Sequence, residues 1–219
     1  MAYEEITALL GGWDGFELIG VERTAATETH PIPEIVLKLQ PVRGAPKRCS
    51  GCGEIVGATH DVAERRVRDL PIMEAQTWLV FPRARLACPR CGPTVEAVPW
   101  LDRYQRMTTK LAEAIARLAQ VLPIKHVATW YGVGWETVKQ IDKRSLVARL
   151  GPVDLSHVRI IAVDEFAIQR GHRYATVVVD PMTKRVLWSG AGGGERICAP
   201  SSRSWVRRGA PTSTPSWQI

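Results

Sequence analysis

The sequence has no apolar run approaching the ~20 residues that a membrane-spanning helix needs. Its opening stretch, MAYEEITALLGG, carries two acids and no basic region, so no secretion signal is expected and the chain should work in the cytoplasm, with no membrane partner. Cysteine is scarce, five in 219 residues, and in a reducing compartment those five should not pair as disulfides. Acids are scarce in the middle of the chain. Residues 103–149 hold three against nine basic residues, and residues 42–91 hold five against nine. Residues 1–41 reverse the balance, with seven acids and two bases. The net charge of +7 is therefore concentrated where it could face an acidic polymer, although an ordinary solvated basic surface has the same look. At 45% hydrophobic, the chain has enough apolar residues to fold as one large domain or two to three small ones.

Four of the five cysteines form two tight pairs, Cys49-Ser-Gly-Cys52 and Cys88-Pro-Arg-Cys91. Two intervening residues let both sulfurs of a pair reach one metal, and Gly51 and Gly53 permit the tight backbone. Two such pairs give a four-thiolate set suited to a structural zinc ion, with no open position for catalysis. The alternatives are a redox CxxC or four unligated thiols in a core. The insert between the pairs, RRVRDLPIMEAQTWLVFPRARLAC, reads as a hairpin with strands around 64–70 and 76–87 and a turn near Pro71. Such a hairpin returns Cys88 to Cys52. By alternation Arg66 and Arg68 share one strand face, as do Arg83 and Arg85. These four arginines are candidate phosphate contacts for double-stranded DNA, against a plain role in solubility. His60 is a spare ligand candidate that reads better as a surface or hairpin residue.

Residues 107–122, MTTKLAEAIARLAQVL, form an amphipathic helix that Thr108 or Thr109 can cap, with Leu111, Ile115, Leu118 and Leu122 as its stripe. Pro123 can start a second helix, with Ile124, Val127, Ala128 and Tyr131 inward. Gly132 and Gly134 mark a short turn. A third helix begins near Trp135, with Val138, Ile141 and Leu146 inward. A short helix, a glycine turn and a basic helix make a helix-turn-helix pattern, and a plain helical hairpin is the alternative. In a helix-turn-helix, Trp135, Glu136, Lys139, Gln140, Lys143 and Arg144 would lie nearest the DNA.

Gly151-Pro152 ends the helices. The stretch VRIIAVDEF then reads as a strand buried on both faces, with Asp164 near its end and Glu165 on the opposite side. HRYATVVVD and RVLWSG supply two further antiparallel strands around the turn DPMTK. A carboxylate at the end of a buried strand needs a compensating cation, and magnesium takes oxygen ligands. Asp180 suits turn chemistry better than catalysis.

The whole order, paired cysteines, basic hairpin, helices with a glycine turn, and then AVDEFAIQRGHRYATVVVD, resembles the transposases of the ISL-three insertion-sequence family over roughly residues 8–194. The resemblance implies that Cys49, Cys52, Cys88 and Cys91 are zinc ligands. It also implies that Asp164 is the first carboxylate of an Asp-Asp-Glu triad on a ribonuclease-H-like sheet. In a complete catalytic domain two magnesium ions, ~3.5–4 Å apart, activate the attacking oxygen and stabilise the leaving one at a DNA phosphate. The second Asp and the Glu come from farther downstream in such transposases. The expectation is therefore a chain that binds the DNA ends of its element, that has only part of the catalytic sheet and is inactive alone, and that leaves self-association open. The alternative reading is a stand-alone DNA-binding regulator or transposition inhibitor.

The fold class expected is α+β. A β-rich region spans residues 1–101, with the zinc-ribbon-like finger over 42–95. A helix-turn-helix spans 102–150, and the start of a ribonuclease-H-like domain spans 156–194. Residues 195–219 change character, rich in Ser, Pro, Arg and Trp, and read as a frameshifted or disordered tail.

Overall fold

The computed structural model describes Thr7, Leu10, residues 12–170 and residues 173–191. The expectations for the tail, and for Cys198 within it, lie outside these residues. Among them the chain divides into two compact units, residues 1–149 and 150–219.

The first unit begins with β1 (Phe16–Thr24) and β2 (Glu34–Pro41), which pair antiparallel. A long hairpin follows, β3 (Thr59–Ile72) and β4 (Ala75–Cys88), closed by β5 (Gly92–Val95) on the far end of β4. The strand order is β1-β2-β4-β3, and β2 lies parallel to β4. Alternation builds the main core. Leu18, Leu37, Leu39, Val67, Leu79 and Phe81 all point to one face, where Trp13, Val98, Trp100 and Leu101 close over them. Phe16, Phe81 and Trp100 meet edge to face with ring centroids 4.9–5.4 Å apart.

The hairpin is longer than its apolar pattern suggests. Its tip is at Met73-Glu74, not Pro71, and Met73 takes a left-handed φ of 53° to make the turn. Strand β3 starts at Thr59 because ladder hydrogen bonds to β4 continue beyond the buried stretch, where the side chains are polar. At ~3.3 Å per residue, each 14-residue strand spans about 45 Å.

Among the described residues three helices follow the strands: α1 (Thr109–Leu118), α2 (Ile124–Tyr131) and α3 (Trp135–Leu150). Thr108 caps α1, its hydroxyl accepting the Leu111 N–H at 3.3 Å. Pro123 precedes α2. Leu111, Ile115, Ala116, Val127, Ala128, Val138 and Ile141 make a separate helical core. Two backbone bonds, Arg68 N–H to Arg106 O and Thr108 N–H to Arg68 O, both 2.9 Å, fasten this bundle to β3.

The second unit holds β6 (Ala162–Gln169), β7 (Arg173–Asp180) and β8 (Arg185–Ala191), antiparallel in that order. The expectation of a first strand buried on both faces is corrected. All of β6 is exposed, with Phe166 at 51%, because no element of this three-stranded sheet covers it among the described residues. Asp180 does take up turn chemistry. It accepts the Met182 N–H at 2.9 Å and the Thr183 hydroxyl at 2.8 Å, and these bonds, the hydroxyl first, hold its carboxyl below the ordinary value.

Candidate metal centre and nucleic-acid interface

The two cysteine pairs meet at the end of the hairpin farthest from its tip. The loop before β3 presents Cys49 and Cys52, and the turn between β4 and β5 presents Cys88 and Cys91. Their four sulfurs all lie within 4.8 Å of one another. Four ligands at the usual zinc–sulfur length of about 2.3 Å stand about 3.8 Å apart at the corners of a tetrahedron. Cys52 Sγ and Cys88 Sγ are 3.7 Å apart. Backbone N–H groups point at the sulfurs as well, Gly51 to Cys49 at 3.3 Å and Cys91 to Cys88 at 3.4 Å. These donors favour thiolates. A Cβ on Gly51 would lie 2.9 Å from Cys91 Sγ, so the approach of the two loops requires glycine there. Gly53 sits in the left-handed region at φ 77°, as the tight turn demands. Val56, Ala84 and Leu86 pack beneath the sulfurs as a third small core.

Without a cation the Cys49 and Cys91 thiols cannot ionise alike. The backbone N–H groups of Cys52 and Gly51 pull the Cys49 thiol down to about 7. The hydrogen bond to Cys52, followed by burial, pushes the Cys91 thiol up to about 12. A divalent ion resolves that conflict by stabilising all four thiolates together. The donor set, its spacing and its N–H···S bonds fit zinc. His60 is not part of this set; its Nδ1 lies 2.9 Å from Asp61 and 3.3 Å from the Arg85 guanidinium.

The hairpin arginines divide. Arg66 stacks on the Trp78 ring at 4.3 Å and pairs with Glu34 at 2.8 Å. Arg68 reaches over the same ring at 5.3 Å and donates to the Tyr131 carbonyl at 2.9 Å, which ties the hairpin to α2. Arg85 is exposed and pairs with Asp61 at 3.2 Å. The expectation of a phosphate contact at Arg83 is corrected. Its side chain points to the main-core face and is only 4% exposed, and its guanidinium donates to the Glu96 carbonyl at 3.0 Å. Arg83 and Arg85 do share a strand face, but the core ends between them.

The helical segment has the arrangement its spacing suggests. Gly132 ends α2 in the left-handed region at φ 60°, and three residues later α3 begins. Val138 and Ile141 face the bundle. Trp135 (59% exposed), Lys139, Gln140, Lys143 and Arg144 all face solvent. They are partly pre-ordered. Gln140 donates to Glu136 at 2.8 Å, Lys139 lies 3.6 Å from Glu136 and 5.4 Å from the Trp135 ring, and Arg144 Nε donates to the Gln140 carbonyl at 3.3 Å.

Asp164 lies on exposed β6 opposite Val177, and neighbouring Glu165 accepts the Thr176 hydroxyl at 3.4 Å. Among the described residues, the four cysteines are the one group of three or more His, Cys, Asp or Glu placed to share a metal. The residues around Asp164 do not by themselves make a magnesium site.

Asp69 and Arg106 escaped the sequence reading. Asp69, 6% exposed, accepts from Trp13 Nε1 at 3.0 Å and from the Thr108 hydroxyl at 2.6 Å. Arg106, and Arg65 of the basic hairpin, present exposed guanidinium groups with no hydrogen-bond or ion-pair partner among the described residues. An acid inside an arginine-rich strand was the one available signal for Asp69. Nothing local marks Arg106.

Two family models match this part of the chain. One is described as the zinc-finger of transposase IS204/IS1001/IS1096/IS1165, over residues 45–91. The other is described as the helix-turn-helix domain of transposase family ISL3, over residues 96–146. The chain is 45% identical over 184 residues to the transposase for insertion sequence element IS1001 of Bordetella parapertussis, covering 84% of this chain and 44% of that protein. It is 28% identical over 185 residues to the transposase for insertion sequence element IS1557 of Mycobacterium tuberculosis, covering 80% of this chain and 42% of that protein. The chain thus spans less than half the length of the curated relatives it matches. No solved structure gives a significant match. No helix among the described residues is long and apolar enough to cross a membrane.

Proposed function

The chain carries the zinc finger and the helix-turn-helix of the ISL3 transposase family, and from that premise we propose that it recognises the DNA ends of an insertion sequence. The observation that supports this most is the exposed face of α3. Five side chains able to reach base edges or phosphates stand on it, on a helix fixed by Val138 and Ile141 and preceded by a three-residue turn. Gln140 suits bidentate pairing with adenine, and Lys139, Lys143 and Arg144 suit guanine or phosphate. Arg66 and Arg85 on the hairpin add contacts to the backbone, and Arg68 holds the hairpin against α2 beside them. Zinc held by Cys49, Cys52, Cys88 and Cys91 keeps the far end of that hairpin folded. When bound it supplies cross-linking of two loops and no chemistry at DNA.

The relatives are named as transposases, and we extend DNA strand transfer to the protein to which this chain corresponds. In that reading β6, β7 and β8, antiparallel in chain order, begin a ribonuclease-H-like sheet, and Asp164 is its first metal-binding carboxylate. Among the described residues no group of three metal-ligating side chains includes Asp164, so no cleavage step is derived from it.

The test is fluorescence anisotropy with the zinc-loaded protein and duplexes taken from the DNA on either side of its gene. Binding to one terminal segment at least ~1,000-fold tighter than to a scrambled duplex is expected at physiological salt. Equal affinity for both would reject end recognition. Asp164→Asn should leave end binding unchanged and abolish magnesium-dependent cleavage in a transposase with its full catalytic domain.

A further inference from the structure

A groove of about 540 Å³ runs between the hairpin and the start of α3. Arg65, Arg66, Arg68 and Arg106 line it on one side, and Gly134 and Thr137 on the other, with Glu64 as the one acid on its rim. Two of the four guanidinium groups, Arg65 and Arg106, are exposed and have no hydrogen-bond or ion-pair partner among the described residues. Arg68 keeps a buried Nε that no protein atom accepts. Trp78 forms part of the groove wall and holds Arg66 and Arg68 by stacking.

The opposite wall begins at the N-terminus of α3, whose first turn carries one acid, Glu136. Gly134 is the N-cap of α3, since its carbonyl accepts the Val138 N–H at 3.2 Å. Glycine brings no side-chain oxygen to cap the first-turn N–H groups, so these are open to an external acceptor. An anion in the groove would meet them and the positive end of a 16-residue helix. Arg66 is paired with Glu34 and Glu64 lies on the rim, which leaves Arg65 and Arg106 without ion-pair partners among the described residues and Arg68 with a buried unmet donor, an anion site that the fold neutralises only in part.

We propose that this groove clamps backbone phosphates of duplex DNA, at the place where α3 enters the major groove. The inference rests on the DNA-binding reading above and adds to it a defined phosphate site and two residues, Arg65 and Arg106. Arg106 lies just before α1, and its carbonyl pairs with Arg68 of β3, so the clamp has one member on the zinc-bearing hairpin and one on the helical bundle. A phosphate held between them fixes the angle at which both modules meet the DNA.

The experiment measures affinity for a random duplex and for the element-end duplex across a range of salt concentrations, with the zinc-loaded protein. Each phosphate contact contributes about 0.9 to the slope of log K against log salt. Arg65→Gln with Arg106→Gln should reduce that slope by about two and weaken both duplexes equally, leaving their affinity ratio unchanged. Arg65→Lys with Arg106→Lys, which keeps the charge, should restore the slope. Both positions are exposed and unpartnered, so thermal melting should match the parent protein. An unchanged slope in the glutamine variant, while the parent still binds DNA, would overturn the clamp alone. A parent that binds no duplex even at low salt would overturn the DNA reading and the clamp with it. Inorganic pyrophosphate at matched ionic strength should compete no better than chloride. Strong competition that Arg106→Gln abolishes would make the groove a site for small phosphates and would overturn the assignment to DNA.

Discussion

Asp69 shows how much one side chain can hold. It sits on β3 among arginines, yet its carboxylate turns inward to take the Trp13 indole N–H, the Thr108 hydroxyl and the Leu70 N–H. Thr108 in turn caps α1, so Asp69 links the main core, the hairpin and the first helix. Asp69→Ala would leave two buried donors without acceptors, at about 1–3 kcal/mol each. Urea unfolding should show a loss of roughly 2–4 kcal/mol; a loss below about 1 would mean that water replaces the carboxylate and the link is dispensable. Arg83 is a contrasting case, a cation that serves the fold. Arg83→Met strands the Glu96 carbonyl and should cost about 1–3 kcal/mol. The salt dependence of DNA binding should not move, because Arg83 is hidden from solvent. A lowered salt slope would return Arg83 to the DNA-contacting set. The sequence could not separate Arg83 from Arg85. Alternation gives the face, but where the core stops along that face depends on Val98, Trp100 and Leu101, which lie beyond the hairpin.

At the scale of elements, the helices were the most legible. Their signals are local: a threonine cap, a proline start, a glycine in the left-handed region, and apolar spacing that survives in the buried Leu111, Ile115, Val127, Val138 and Ile141. The zinc knuckles were legible for the same reason, since each CxxC pair is its own geometric unit. The hairpin's length and the exposure of β6 were not legible, because pairing and covering are supplied by distant chain. The glycine in the first knuckle gives the element-scale prediction. In Gly51→Ala the new methyl must displace Cys91 Sγ, 2.9 Å away. Zinc affinity, read by competition with a chromophoric chelator, should fall by about 10–100-fold, the range seen when supporting contacts of a metal site are lost. Undiminished affinity would mean that the two loops have room to separate, and that the close approach is not set by the metal.

The whole first unit is organised along its hairpin. The sulfur cluster lies at one end, the tip at Met73-Glu74 lies at the other, and the main core and the seam to the helices occupy the stretch between Val67 and Phe81. Its cores are separate sets of residues, Val56, Ala84 and Leu86 under the sulfurs and Leu37, Val67, Leu79 and Phe81 in the middle. Burial of large apolar side chains in the middle set, each contributing about 1.5–3 kcal/mol, does not depend on the metal. Chelation of zinc should therefore melt one end and spare the rest. Hydrogen exchange with and without a chelator should show protection lost over residues 48–62 and 84–96. Residues 67–81 and 109–141 should remain protected, because their cores and the Arg68–Thr108 backbone bonds are intact. On the proposed function, DNA affinity should then fall only by the share assigned to Arg85 and its neighbours, while discrimination between end and scrambled duplexes, assigned to α3, persists. Loss of protection across both regions together would show that the metal supports the whole unit, and that the hairpin transmits its loss to the helices.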